Sequence, residues 1–324
     1  MKFVVAFLVC AASIYSPFQH LCQVQTATEV ESNVPITAAV IDKERPVAVV
    51  GSQTGLTMRS LPDLKVLQEL PTTLSSIHDI AISSDGRRLV AVGGVPGESG
   101  SVELYEWPSG KKIKHVSPHQ DVIYRVAWSP DSTSFATASA DKTVQIFDLD
   151  CQNRGTLQGH SRAVMAVDFL PNELGLLSAG VDTSIRYWDW MNLEPNKSLK
   201  RTLINHTKDI YSIEARRNSK DTIPVVASIS QDRTVRFWQP TIGRMMRFVR
   251  LESVPLDFCW LSDGAQLAVV CQDGRIRYVV ADTAQVVQTI EALHGIAYCI
   301  AADSKNGLLV GGSDGQIRYL NPTE

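Results

Sequence analysis

Five aspartates, Asp141, Asp182, Asp232, Asp273 and Asp314, recur along the 324-residue chain at steps of 41, 50, 41 and 41 residues (182−141, 232−182, 273−232, 314−273). Carboxylates can do acid–base work, but catalysis needs one special constellation, and these five stand in near-equivalent settings. Each is followed within three residues by Val or Ile and then by an aromatic, as in Asp141-Lys-Thr-Val-Gln-Ile-Phe147, Asp182-Thr-Ser-Ile-Arg-Tyr-Trp188 and Asp232-Arg-Thr-Val-Arg-Phe-Trp238. The last two are Asp273-Gly-Arg-Ile-Arg-Tyr278 and Asp314-Gly-Gln-Ile-Arg-Tyr319. A period of about 40 residues marks one copied unit, whose apolar face must be buried on its neighbours.

The third unit shows what each copy has to build. Val122–Trp128 reads as a strand, Ser129-Pro-Asp-Ser132 as a turn, Phe135–Ser139 as a second strand, Ala140-Asp-Lys142 as a tight turn and Thr143–Asp148 as a third strand. A fourth falls near Gly155–Gln158. The series can be laid out seven times within residues 36–324, with second strands at Val47–Gly51, Leu89–Gly93, Phe135–Ser139, Leu176–Gly180, Val225–Ile229, Leu267–Cys271 and Leu308–Gly312. Strands this apolar need cover on both faces, which radial stacking supplies. After Tyr319 no room is left for a fourth strand in the last unit, so the stretch Thr28–Val34 is expected to pair there and close the ring. In the second unit the glycine-rich stretch around Gly93–Gly100 reads as an inserted loop between second and third strands.

Composition narrows the function classes. Hydrophobics at 44% and charged residues at 20% fit a soluble globular protein, and a net charge of −3 supplies no field to steer nucleic acid. Behind Lys2, the ten-residue apolar run Phe3–Ala12 reads as a secretory signal, with cleavage at Ala27 or near Ala11–Ser13. The run is shorter than the roughly 20 residues of a membrane span, although an uncleaved anchor or a plain extension stays open. The reading is a signal peptide over 1–27 and one domain over 28–324, secreted or periplasmic, with no span after signal removal. Cys10 and Cys22 lie in the signal region, while Cys259, Cys271 and Cys299 sit in apolar runs as small core residues, with a disulfide left open. No C-x-x-C or C-x-x-C-H occurs and the histidines lack ligand spacing, so neither metal, haem nor any other cofactor is expected.

Ser178-Ala-Gly-Val-Asp-Thr-Ser-Ile-Arg-Tyr-Trp-Asp189, with Gly159-His160 ahead of it, resembles a WD40 repeat. The likeness recurs at Thr137–Asp148, Ser228–Gln239 and, without the Trp, in the last two units, covering about 290 residues. It implies an all-β, seven-bladed WD40-type β-propeller, its ring closed by the N-terminal strand. It also implies a buried hydrogen-bond chain in each blade, here His160, Ser178, Asp182 and Trp188, and again His206, Ser228, Asp232 and Trp238. His119, Thr137 and Asp141 would form a broken chain, because Phe147 has no N–H. Asp273 and Asp314 lack the aromatic donor, and the first unit has Gln53-Thr-Gly55 at its turn. The second unit's insertion resembles one in exported WD40 modules of planctomycete-type bacteria, some of whose relatives carry a separate c-type cytochrome domain.

The Asp/His/Ser trios have the residue types of a catalytic triad, but their repetition reads as blade packing. The resemblance places partner binding on the residues before the turn aspartates, Ala140, Val181, Gln231, Gln272 and Ser313, and on early first-strand residues Val122, Ala163 and Asp209. His78, where other units have Tyr124, Met165 and Tyr211, is expected at one end of the channel, and Pro96 and Glu98 mark the insertion as a candidate contact. Arg186, Arg236, Arg277 and Arg318 should pack their stems between blades with heads in solvent, while Lys111, Lys112, Lys114, Arg244, Arg247 and Arg250 should guard outer edges. Asn196-Lys-Ser198 and Asn205-His-Thr207 are glycosylation sequons. The reading is a non-enzymatic exported scaffold that binds other, unidentified proteins. The alternatives are an accessory subunit to a c-type cytochrome or other redox complex, and a propeller-type hydrolase or lactonase, for which the channel offers only His78 and scattered acids.

Overall fold

The computed structural model describes residues 34–171, 175–193, 198–217 and 221–321, together with the backbone of residues 25–30. Within them every regular element is a β-strand, and the strands form seven four-stranded antiparallel sheets. Each sheet is a blade. Six blades are continuous in sequence, from the innermost strand outward: residues 36–70, 77–119, 123–157, 164–203, 210–250 and 255–291. Residues 1–24, 31–33, 172–174, 194–197, 218–220 and 322–324 lie outside this description, and with them most of the expected signal sequence, Cys10, Cys22 and Asn196.

The seventh blade is made from both ends of the chain. Ala297–Ala302, Leu308–Gly312 and Ile317–Asn321 supply three strands, and Gln25–Val30 adds the fourth, antiparallel to Ile317–Asn321. Its register runs from Gln25 opposite Asn321 to Val30 opposite Ile317. The expected closure is present, but the strand begins at Gln25 rather than Thr28 and ends at Val30, so it reaches into the segment assigned to the signal.

The core is not one mass but seven apolar seams, one between each pair of neighbouring blades. Leu56, Ile77, Leu89 and Tyr105 join blades 1 and 2, while Phe237, Phe258, Leu267 and Val269 join blades 5 and 6. The seam of Ile36, Val50, Leu64, Leu309 and Tyr319 joins blade 7 back to blade 1. Period-2 alternation is lost because both faces of the inner strands are covered, which is why the second strands read as continuous apolar runs. Close sheet approach also demands missing side chains: a Cβ on Gly180 would stand 2.1 Å from the Ala163 carbonyl.

Every innermost strand carries the same irregularity. The register skips the second residue in all seven blades, as between Ile77 and Asp79 or between Ile123 and Arg125. A bulge re-aims the skipped side chain. The residues so treated, Thr37, His78, Tyr124, Met165, Tyr211, Leu256 and Tyr298, all line the central cavity. This end of the ring is termed the upper face.

One local expectation is corrected. The Gly93–Gly100 stretch is no loop but a hairpin: Arg88–Val95 and Ser99–Glu106 pair out to Val95 opposite Ser99, leaving Pro96, Gly97 and Glu98 at the tip. Gly94 at φ 144° and Gly97 at φ 73° take conformations that other residues resist. The Gly97 N–H donates to Asp121 Oδ1 at 2.8 Å, pinning the tip to blade 3.

Because Gln25–Val30 hydrogen-bonds an edge that would otherwise be open, a chain started at Val34 is expected to melt at least about 5 °C below one started at Gln25. Thermal unfolding followed by circular dichroism checks this; equal midpoints would show that the strand does not fasten the ring.

Candidate functional site

The turn aspartates are held by chains of donors that run inward from them. In blade 4, Trp188 Nε1 donates to Ser178 Oγ at 2.7 Å, Ser178 donates to His160 Nε2 at 2.7 Å, and His160 Nδ1 donates to Asp182 at 2.9 Å. Blade 5 repeats this with Trp238, Ser228, His206 and Asp232 at 2.8, 2.7 and 2.8 Å. In blade 3, Thr137 donates to His119 and His119 to Asp141, each at 2.7 Å, while Phe147 leaves the chain and stacks on Phe135 at 5.2 Å. The carboxylate accepts only, so the histidine must carry its proton on Nδ1. Burial alone would raise the Asp141 carboxyl, but hydrogen bonds from His119 and Thr143 outweigh it and hold it at about 2. His206 is pushed down, because burial outweighs the pull of Asp232. These serines and histidines are sealed between strands, with no room for a substrate beside them: Ser178 and Ser228 are 0% exposed.

Blades without a histidine solve the same problem differently. Arg277 donates two bonds to Asp273, at 3.0 and 2.6 Å, and is itself buried. Arg236 lies 3.6 Å from Asp232 and stacks on Phe248, while Arg186 stacks on Trp188. Three of the four third-strand arginines therefore turn their heads to the blade's own turn or rings rather than to solvent, a correction to the sequence reading. In blade 2 the equivalent register position, opposite Ala91, holds Glu103. It is fully buried and accepts from Thr72 at 2.7 Å, the Thr73 amide at 2.9 Å, Tyr105, and Lys112 at 2.7 Å. Burial raises this carboxyl, but those donors, Lys112 first, bring it down to about 2. Lys112, half-buried, is thus the partner of a buried carboxylate rather than an edge guard.

On the upper face the two positional sets come together. The backbone N–H of Ala140, Val181, Gln231, Gln272 and Ser313 bonds the carbonyl of Val122, Ala163, Asp209, Val254 and Ile296 respectively, at 2.8–2.9 Å. Gln231 and Gln272 are exposed and Ala140, Val181, Ser313, Ala163 and Asp209 are half-buried. Val122 is 2% exposed, so only its carbonyl contributes and its side chain presents nothing. Pro96 and Glu98 stand exposed on the hairpin tip above the same face. His78 lies at the channel mouth, edge-on to Tyr124 at 5.6 Å and bonded to Ser76 at 3.1 Å. Burial lowers its pKa.

The channel is more highly charged than the sequence reading allowed. Arg125 reaches Asp257 at 2.6 Å, Ser212 at 2.5 Å and Asp79 at 3.6 Å, and Arg217 reaches Asp168 at 2.7 Å. The three aspartates also clamp blades together, accepting backbone N–H bonds from the next blade: Val126 to Asp79, Ala215 to Asp168 and Ile300 to Asp257. Burial pushes Asp79 up to about 6 despite Arg125. Burial, with Asp168 next, pushes Glu214 up to about 8. The signal for these residues was present as charges inside innermost strands, as in Ile-Tyr-Arg125 and Val-Asp168, where both faces should be apolar.

Three segments, 110–148, 151–189 and 197–239, match the family model described as WD domain, G-beta repeat. They end on the third strands of blades 3, 4 and 5, the blades that carry the histidine–aspartate pairs. The chain is a seven-bladed β-propeller with WD40 repeats. It is similar to "Protein tipD" of Dictyostelium discoideum, 28% identical over 57% of this chain and 29% of that protein. It is similar to "Nuclear distribution protein PAC1" of Arthroderma benhamiae, 33% identical over 44% of this chain and 32% of that protein. It is also similar to "p21-activated protein kinase-interacting protein 1-like" of Danio rerio, 27% identical over 67% of this chain and 56% of that protein. The chain thus spans about a third of the length of the first two and just over half of the third. These relatives are eukaryotic, so the expected likeness to bacterial exported proteins finds no support in them.

Asp182→Asn should cost about 3 kcal/mol, since it breaks a buried bonded pair, and Trp188→Phe about 1 kcal/mol, the worth of one hydrogen bond. Acid should remove the stability that two of these groups supply: the unfolded chain protonates His206 below about pH 6.5 and Asp141 below about pH 4, and both have lower pKa values in the fold. Glu214 and Asp79, raised to about 8 and about 6, add stability as the pH falls toward 4 and offset the first loss. Denaturant titrations from pH 7 to 3 on wild type and His206→Asn isolate the histidine, the variant losing less stability between pH 7 and 5.

Proposed function

We propose that this propeller with WD40 repeats is a non-catalytic scaffold that captures partner proteins on its upper face. The observation that carries the reading is the hairpin of Arg88–Glu106, whose exposed tip rises beside a ring of bulge-directed side chains and the exposed Gln231 and Gln272. The seams beneath hold that surface rigid, so binding needs little ordering of the scaffold. One relative bears a kinase-interacting name, which agrees with partner capture.

The channel groups support the absence of hydrolysis. Ser212 Oγ accepts from Arg125, and among the described residues no histidine or carboxylate bonds it as a base. Burial pushes the Cys259 and Cys299 thiols up, away from the nucleophilic thiolate. Asp79, Asp168 and Asp257 are occupied in clamping neighbouring blades.

An exported location is part of the proposal and rests on the apolar run Phe3–Ala12 behind Lys2. Among the described residues no helix is long and apolar enough to cross a membrane. Cleavage at or before Val24 would keep the whole closing strand, whereas cleavage at Ala27 would shorten it to Thr28–Val30.

Replacing Gly94–Gly100 by Asn-Gly should leave the melting temperature within about 2 °C and reduce the proteins recovered in affinity capture from the exported fraction. The double variant Gln231→Arg, Gln272→Arg should do the same, while Lys43→Glu at the opposite end of the channel should not. Capture unchanged by both upper-face variants would overturn the reading.

A further inference from the structure

We propose that the central channel binds a small organic cation, a primary amine, with the Glu214 carboxylate as its counter-ion. The channel encloses a cavity of about 700 Å³, running from His78 and Tyr211 at the upper face to Lys43 and Asp303 at the other end. That is the size of a site for a small organic ligand.

Its middle is unbalanced in charge. Four carboxyl groups, Asp79, Asp168, Glu214 and Asp257, share the lining with two guanidinium groups, Arg125 and Arg217, a formal excess of 2 − 4 = −2. The pairing leaves one group over. Arg125 is committed to Asp257 and Asp79, and Arg217 to Asp168. Each of the three aspartates also accepts a backbone N–H. The Glu214 carboxyl, on the innermost strand Ile210–Ala215, has no hydrogen bond or ion pair to any described residue.

Its neighbours do not relieve it. Asp168 on blade 4 and Asp257 on blade 6 repel its charge, Arg125 on blade 3 and Arg217 on its own blade attract it from beyond contact, and Cys259 on blade 6 is a neutral thiol. An anion would meet the acid excess. No group of three His, Cys, Asp or Glu able to hold a metal ion occurs among the described residues. A bound ammonium satisfies both conditions: it supplies a positive partner for the ionised Glu214 carboxylate and donates to it, with Tyr211, Leu256 and Ile213 among the lining residues for its alkyl part. Binding must then draw the proton from Glu214, which the empty channel holds neutral at pH 7.

The site is independent of upper-face docking, and so is its test. Wild-type protein is titrated calorimetrically with 1,5-diaminopentane, with glutarate and 1,5-pentanediol as controls, in two buffers of different ionisation enthalpy at pH 6, 7 and 8. The expected result is saturable 1:1 binding of the diamine alone, release of most of one proton at pH 7, and affinity rising about tenfold per pH unit below the Glu214 pKa. Glu214→Gln should weaken binding about tenfold to a hundredfold, the worth of a charge-assisted bond, and abolish the proton release. No saturable binding, which would mean that water alone solvates Glu214, overturns the proposal, as does equal binding of either control. So does a variant that keeps wild-type affinity and proton release. Should the variant fail to fold, the wild-type pH profile and proton count decide alone.

Discussion

An apolar sheet face cannot be left to water, and this constraint shapes the whole molecule. Each blade has two such faces, so a row of blades would always end in two exposed ones. Bending the row into a ring removes both ends, and the seam of Ile36, Leu64, Leu309 and Tyr319 is where that happens. The seventh blade then takes its outer strand from the opposite end of the chain, so main-chain hydrogen bonds fasten what the apolar seam aligns. The rigidity that suits a docking surface follows from closure, not from any single blade.

Within that frame, each blade must settle its buried polar groups separately. Three use a histidine between a hydroxyl and the turn aspartate, one folds Arg277 back on Asp273, and one buries Glu103 among Lys112, Tyr105 and two threonines. The chemistry differs but the requirement is constant, because a buried charge without a partner costs several kcal/mol. The channel follows the same rule through its clamping aspartates, and Glu214, pushed up to about 8, obeys it by keeping its proton.

Much of this was legible in the sequence. The spacing of Asp141, Asp182 and Asp232 marked the turns, and all seven second strands fall within a residue or two of their expected positions, apart from the extended hairpin of blade 2. Local pattern suffices there, because a tight turn and a short apolar strand are set by neighbouring residues. The partners of Glu103, Arg277 and Arg125 were not legible. Those bonds join residues 30 to 132 positions apart, or depend on which way a long side chain folds. Gly93–Gly100 was misread because glycine permits a loop, while the ladder from Gly93 to Val95 is a cooperative property of two strands. The closing strand was placed three residues late because its polar sequence has no periodicity to anchor a register.

The central claim is that the ring is closed and behaves as one unit. Native-state amide hydrogen exchange measures it most directly. A closed ring predicts that the second-strand amides of blades 1 and 7, such as Val49 and Val310, open with the same free energy as those of blade 4, such as Leu177. Earlier exchange in blades 1 and 7, with protection rising toward blade 4, would mean an open arc and would contradict the account.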